Sequence, residues 1–147
     1  MATASIDRGV DLVFDGQCGF CTRAAGWIRR LDRRGRVRIH PSQGVGVLER
    51  FGLSEAAAHS AAWTFGSDGA GRTVGHEGAA AVAGALDAAL GLRVFLPFYR
   101  LPGVRWVQDR VYRWVAEHRY LLRGVTPWCQ EHPEDCPGVA GPASCSI

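Results

Sequence analysis

Two cysteines three positions apart, Cys18 and Cys21, are the residues of this chain whose type and spacing point most directly to chemistry. They follow an apolar stretch, Asp11–Phe14, and a turn signal, Asp15-Gly16, and they precede a stretch with helical spacing of apolar residues. A thiol at the start of a helix lies near free backbone N–H groups and the positive end of the helix dipole, which both stabilise a thiolate. Because the thiolate is the nucleophilic form of cysteine, this placement indicates thiol–disulfide exchange.

The order of the two cysteines predicts a division of roles. Cys18 is nearest the free N–H groups, so we expect it to be the more exposed thiol and to attack a substrate disulfide. Cys21 would lie within the first helical turn, covered, and would resolve the mixed disulfide. Asp15 has two open interpretations: a proton acceptor for Cys21, or a turn residue that accepts backbone N–H bonds. The exchange needs no bound cofactor, since electrons come from a partner thiol or dithiol.

The same pair has other interpretations, namely two inert buried thiols or half of a zinc site in a non-catalytic metal-binding or interaction module. A structural zinc usually has four protein ligands, and the chain has no second Cys-x-x-Cys, so no metal site is predicted. A loose cluster near the C-terminus leaves three hypotheses open: a mobile tail with ordinary thiols, a tail cysteine that exchanges with the Cys18–Cys21 disulfide, or a metal site shared with that pair. Its members are Cys129, His132, Cys136 and Cys145.

Size and composition favour a single globular domain in the cytoplasm. The chain has 147 residues, and all 17 of its basic residues are arginine. The net charge of +3 is small and scattered, so no nucleic-acid partner is predicted. No apolar run reaches the ~18 residues of a membrane span, and the N-terminus lacks the apolar core of a secretory signal. In the cytoplasm, the five cysteines are not expected to form static disulfides.

The periodicity predicts an α/β fold in the order strand, helix, strand, helix, strand, strand, helix. Strand 11–14 should be central in the sheet, strand 37–39 parallel beside it, and strands 61–65 and 72–76 an antiparallel hairpin. The predicted helices cover residues 20–34, 47–51 and 78–90, with a further helical turn at 54–58.

A further, amphipathic helix is predicted over residues 104–122, where valines recur at spacings of three and four: Val104, Val107, Val111 and Val115. We expect this valine stripe to be buried against the domain, in preference to a membrane surface. The predicted organisation is therefore a flexible N-terminus at 1–10, one domain at 11–123 that includes this helix, and a Pro- and Cys-containing tail at 124–147.

Two stretches carry a family resemblance. Asp15-Gly16-Gln17-Cys18-Gly19-Phe20-Cys21 resembles the Asp-x-x-Cys-x-x-Cys signature of the DCC family of predicted thiol–disulfide oxidoreductases, and the stretch 110–120 is similar to that family's C-terminal helix, with its Tyr and its Arg-Tyr pair. The resemblance covers about Asp11 to Gly124. It implies a thioredoxin-like fold, a four-stranded mixed sheet flanked by helices with an added C-terminal amphipathic helix, that acts on a thiol or disulfide substrate.

One departure concerns the position just before the third strand, where thioredoxins place a cis-proline that faces the cysteines. The matching stretch here is His59-Ser60-Ala61-Ala62, and no proline occurs between Pro41 and Pro97. This departure puts in question the usual docking of a substrate chain beside the disulfide, and it removes a common barrier to metal capture by the pair. The sequence assigns no role to His40, His59, His76 or His118.

Overall fold

The computed structural model of the protein describes residues 9–67, 73–119, 121–122 and 124–137. These residues form four strands and seven α helices, followed by a short 3-10 helix at Pro133–Asp135. In chain order they are β1 (Val10–Phe14), α1 (Gly19–Leu31), β2 (Val37–Pro41), α2 (Val47–Phe51), α3 (Glu55–Ser60), β3 (Trp63–Ser67), β4 (Thr73–Glu77), α4 (Gly78–Leu90), α5 (Phe95–Tyr99), α6 (Pro102–His118) and α7 (Trp128–Glu131).

The four strands form one mixed sheet in the order β2-β1-β3-β4. Strand β1 pairs in parallel with β2, with Val10 opposite Val37, and antiparallel with β3, with Val13 opposite Trp63. Strands β3 and β4 form an antiparallel hairpin. The predicted central position of β1, its parallel neighbour and the hairpin are confirmed. A mixed four-stranded sheet flanked by helices is consistent with a thioredoxin-like fold.

The core explains why β1 is central. Leu12, Val13 and Phe14 are each at most 3% exposed, so both faces of the strand are covered. On one face, Leu12 packs with Ile28 of α1 and Ala85 of α4. Helices α1 and α4 therefore lie on the same side of the sheet, and the start of α1 is held rigidly at the end of β1.

Helix α1 ends at Leu31, three residues earlier than the spacing predicts. The side chain of Asp32 accepts the backbone N–H groups of Arg36 and Val37, at 2.8 Å each. These bonds form a turn in place of a further helical turn, and Gly35 adopts a positive φ of 64° within it.

The predicted burial of the valine stripe is wrong. Helix α6 has no buried residue in the range Pro102–His118, and Val107 and Val111 are 51% and 57% exposed. The helix reaches the domain through a different face, where the hydroxyl of Tyr112 accepts the N–H of Ala62 (2.9 Å). Val107, Val111 and Val115 therefore line an open groove.

Candidate active site

The cysteine pair lies where the sequence predicts, at the turn between β1 and α1. The N–H of Cys18 donates to the carbonyl of Asp15 (3.2 Å), and the side chain of Asp15 accepts the N–H of Gln17 (3.0 Å). Cys18 is the N-cap of α1, and its sulfur accepts the backbone N–H of Cys21 (3.2 Å). The sulfur thus takes the place that a Ser or Asp oxygen has in an ordinary helix cap.

The two thiols differ in acidity. A hydrogen bond from the Cys21 thiol lowers the pKa of Cys18 to about 7, and the backbone N–H of Cys21 and the charge of Arg119 act in the same direction, against burial and the charge of Asp15. The pKa of Cys21 is raised well above its ordinary value, because it donates that hydrogen bond, is buried and lies beside the Cys18 thiolate. Near neutral pH, a large fraction of Cys18 is therefore thiolate, whereas Cys21 stays a thiol.

Arg119 is a site residue to which the sequence analysis gave no role of its own. Its side chain is 8% exposed, and its Nη2 donates to the carbonyl of His59 (2.6 Å). Nη1 lies 3.9 Å from the sulfur of Cys21, and Nη2 lies 3.4 Å from Oδ2 of Asp15. The guanidinium thus brings a positive charge to both thiols. The one signal for it in the sequence is the Arg-Tyr pair of the family's C-terminal helix.

Asp15 lies at the centre of the site's polar contacts, and its side chain is 2% exposed. Its Oδ1 accepts the side-chain amide of Gln43 (2.9 Å) as well as the N–H of Gln17, and its Oδ2 lies 3.5 Å from the ring of His59. The turn role that the sequence suggested is therefore present. Gln43 and His59 are further site neighbours, and no local sequence signal distinguishes them.

The exposure of the two thiols is the reverse of the prediction. Cys18 is 0% exposed, whereas Cys21 is partly exposed. A segment from the C-terminal part, residues 124–136, lies across the turn; we call it the tail strap. Its backbone donates three hydrogen bonds to the motif: Val125 to the carbonyl of Gly19 (3.2 Å), Trp128 to the hydroxyl of Thr22 (3.0 Å), and Cys129 to the carbonyl of Gly16 (2.9 Å).

The tail strap also corrects the prediction that the cysteines form no static disulfide. Cys129 and Cys136 are bonded to each other and are 7% and 2% exposed, so they are not the ordinary thiols of a mobile tail. As a disulfide they offer no thiolates for a metal site shared with Cys18 and Cys21. Cys145 lies outside the described residues. Among those that are described, the group placed to hold an ion is His132, Glu134 and Asp135, which includes no cysteine.

The backbone before β3 is already engaged by α6 and α4. The carbonyl of His59 accepts from Arg119, the N–H of Ala62 donates to Tyr112, and the carbonyl of Ala62 accepts the N–H of Gly78 (2.9 Å). Where thioredoxins carry a cis-proline, this chain therefore has backbone groups that are bonded within the protein. They are not available to pair with an extended substrate chain.

An open groove of about 580 Å³ lies between α1, α4 and α6. Its lining includes Cys21, Asp15 and Arg119 but not Cys18. The remaining lining is largely apolar and includes Trp27, Ile28, Val82, Leu86, Val107 and Val111. The groove therefore gives solvent a route to the Cys21 side of the pair. Within the described part of the chain, no helix has the length and apolar character needed to cross a membrane.

The arrangement can carry out nucleophilic chemistry at sulfur, since it holds a thiolate, a second thiol within hydrogen-bonding distance and a neighbouring cation. A family model described as DCC1-like thiol-disulfide oxidoreductase matches residues 12–125. A search of curated proteins found no match, and neither did a search of solved structures. The matched range contains the sheet from Leu12 onward, the cysteine pair and Arg119, and it ends within the tail strap. The chain belongs to the DCC1-like thiol-disulfide oxidoreductase family.

Proposed function

We propose that the protein exchanges disulfides through Cys18 and Cys21, with Cys18 as the attacking thiolate and Cys21 as the resolving thiol. The observation that carries this proposal is the helix cap made by sulfur. Cys18 accepts the N–H of Cys21 at 3.2 Å, and its pKa is lowered to about 7. A thiol with a pKa near ambient pH combines a large thiolate fraction with good nucleophilicity.

The reaction has two displacement steps. The Cys18 thiolate attacks one sulfur of a substrate disulfide, so a Cys18–substrate bond forms, the substrate S–S bond breaks, and the other substrate sulfur leaves as a thiolate. Cys21 then loses its proton and attacks the sulfur of Cys18. The Cys18–Cys21 bond forms and the remaining substrate sulfur leaves as a thiolate. The reverse sequence oxidises a substrate dithiol, and neither direction needs a bound cofactor.

Asp15 and Arg119 support the second step. The guanidinium of Arg119 lies 3.4 Å from Oδ2 of Asp15 and 3.9 Å from the Cys21 sulfur, so the carboxylate is a near neighbour of this thiol and we assign it the proton that Cys21 loses. Arg119 lies 3.9 Å from the Cys21 sulfur and favours the thiolate that forms there.

The substrate is a thiol or disulfide, either a protein or a small molecule. The bonded backbone before β3 argues against docking of an extended substrate chain at that edge. The groove supports approach from the Cys21 side. Attack by Cys18 on an outside sulfur also requires displacement of the tail strap, since Cys18 has no solvent-exposed surface.

The test is peptide-mapped mass spectrometry of Cys21→Ser and Cys18→Ser after exposure to glutathione disulfide. Cys21→Ser should accumulate glutathione on Cys18, because the resolving thiol is absent. Cys18→Ser should modify Cys21 much more slowly, because burial of Cys21 still disfavours its thiolate in the absence of Cys18. Equal rates of adduct formation on the two cysteines would overturn the assigned order.

The native protein supplies the test of redox function itself. In glutathione buffers of increasing oxidised fraction, Cys18 and Cys21 should convert to a disulfide. If the native protein formed neither that disulfide nor a glutathione adduct, the proposed function would be wrong. Stoichiometric zinc in protein purified under reducing conditions, lost on replacing either cysteine, would support the alternative of a metal-binding module instead.

A further inference from the structure

The tail strap presents a second pair of cysteines to the turn that carries Cys18. The strap is anchored on both sides of that residue, by Cys129 to Gly16 (2.9 Å) and by Val125 to Gly19 (3.2 Å). The low-pKa thiol of the site, Cys18, is therefore the one shielded from solvent. The tail strap that lies beside it contains a disulfide.

The Cys129 sulfur packs directly on the turn. A Cβ atom at Gly16 would lie 2.8 Å from that sulfur, closer than real side chains come, so only glycine leaves room for the disulfide there. The same sulfur lies 3.7 Å from Oε1 of Gln43, whose amide nitrogen donates to Asp15 (2.9 Å). The disulfide thus contacts both the backbone before Cys18 and the side chain that holds the site carboxylate.

We propose that Cys129–Cys136 is a second redox couple, which exchanges directly with Cys18 and Cys21 within one chain. This inference rests on the proposed function, because it needs Cys18 to act as a nucleophile. Cys129 and Cys136 both lie outside the family match, because the matched range ends at residue 125.

The exchange balances without an outside reagent. The Cys18 thiolate attacks Cys129, so the Cys18–Cys129 bond forms, the Cys129–Cys136 bond breaks, and Cys136 leaves as a thiolate that takes up a proton. Cys21 loses its proton and attacks Cys18, which forms the Cys18–Cys21 bond and releases Cys129 as a thiolate that is protonated in turn. Two electrons and the Cys21 proton pass from the motif pair to the tail pair, the second proton is the one that Cys18 earlier gave to water, and a partner disulfide then reoxidises the tail pair.

The first experiment traps the intermediate in a Cys145→Ser background. The variant Cys21→Ser/Cys136→Ser retains Cys18 and Cys129, and its matched control Cys18→Ser/Cys136→Ser retains Cys21 and Cys129. On addition of glutathione disulfide, the first variant should form an internal Cys18–Cys129 disulfide at least about tenfold faster than the control forms Cys21–Cys129, because proximity raises the effective concentration. Glutathione adducts on Cys18 and Cys129 without the internal bond, or equal rates in the two variants, would overturn the relay.

A second experiment leaves both pairs in place, in case loss of the tail disulfide unfolds the strap. Fully oxidised Cys145→Ser protein receives one equivalent of dithiothreitol, is quenched with acid at intervals and is mapped by mass spectrometry. Reduced cysteines should appear in both couples, Cys18–Cys21 and Cys129–Cys136, and the two couples should reach equilibrium at a rate that does not depend on protein concentration. No redistribution, or a rate that rises in proportion to protein concentration, would exclude exchange within one chain.

A third variant separates failure of the relay from failure of the proposed function. Cys129→Ser/Cys136→Ser/Cys145→Ser carries only the motif cysteines. If its Cys18–Cys21 pair cycles in glutathione buffers while the trapping variant forms no internal disulfide, the relay is wrong and the proposed function stands. If neither this variant nor the native protein forms the Cys18–Cys21 disulfide, both are wrong.

Discussion

At the scale of single residues, Cys18 combines an acidic thiol with complete burial. The hydrogen bonds from Cys21 and the charge of Arg119 outweigh burial and Asp15, so its pKa falls to about 7. Local sequence supplies the first of these effects, because a helix start always offers free N–H groups. Arg119 supplies a contribution that depends on the fold, since it is 98 residues away from Cys21 along the chain.

Replacing Arg119 should therefore make both thiols less acidic. In Arg119→Gln, the titration midpoint of Cys18 should move above about 7, because a cation that favours the thiolate is lost. At pH 7 the thiolate fraction and the rate of exchange should then fall. Thiolate absorbance in the ultraviolet, followed against pH on reduced protein, measures the midpoint.

Two further variants serve as controls for Arg119→Gln. Arg119→Lys keeps the charge and should keep most of the effect, while Arg113→Gln alters an exposed arginine of the same helix and should leave the midpoint in place. A midpoint that is the same in Arg119→Gln as in the native protein would contradict the electrostatic role.

At the scale of the elements, α4 divides its apolar residues between the core and the groove. On α4, Ala81 and Ala85 are 0% exposed against the sheet, whereas Val82 and Leu86 line the groove. The small side chains thus allow close packing on the sheet, and the larger ones face α6 across open space. This arrangement explains why the valine stripe of α6 is not part of the core.

The exposure of the stripe changes the expected cost of a charge there. Val111→Asp should lower the free energy of unfolding by less than about 1 kcal/mol, because water still reaches the carboxylate. Ala81→Asp, a matched change at a buried position on the facing helix, should cost about 3 kcal/mol or more, since it buries an unpaired charge. Urea unfolding followed by circular dichroism measures both. A decrease of several kcal/mol in the free energy of unfolding of Val111→Asp would indicate instead that the valine stripe is buried, as the periodicity predicts.

At the scale of the whole molecule, the tail strap comes from the C-terminal part of the chain and lies across the turn that carries the cysteine pair near the N-terminus. Its three backbone hydrogen bonds reach the motif, and Trp128 contacts Phe14 edge to face at a ring separation of 5.9 Å. The disulfide between Cys129 and Cys136 holds α7 and the following 3-10 helix together. The tail strap thus contributes directly to the site, whereas the sequence pattern predicts a tail that is separate from the domain.

Removing the tail strap should expose Cys18. A chain that ends at Gly124 should fold, because the sheet and its covering helices are complete by His118, and it should retain dithiol–disulfide activity. Iodoacetamide at pH 7 should modify its Cys18 at least about tenfold faster than in the full chain, since no local opening is needed first.

A chain that ends at Pro137 is the matched control, because it keeps the strap and loses Cys145. It should react like the full chain. Equal rates in the two shortened chains, with circular dichroism showing both folded, would mean that the strap does not shield Cys18.

The parts of the protein that depend on short windows of residues are predictable from the amino-acid sequence. The run Asp11–Phe14 predicts a buried strand, Asp15-Gly16 a turn, and the cysteine spacing a helix start, because each signal comes from neighbouring residues. The order of such elements then restricted the sheet to few topologies, and the central β1, its parallel neighbour and the hairpin followed. Helix boundaries were less accurate, as Asp32 shows, since a side-chain bond to the backbone can end a helix before its apolar period ends.

Which distant groups meet at the cysteines depends on how the whole chain packs. The period of α6 shows that it has an apolar face, but the side it presents to the domain depends on the Tyr112 and Arg119 contacts, each of which joins residues 50 or more positions apart. The tail strap likewise reaches the cysteine turn through contacts between distant parts of the chain, such as the hydrogen bond from Cys129 to Gly16. Such contacts depend on how the helices and the tail pack as a whole, so no window of neighbouring residues contains them.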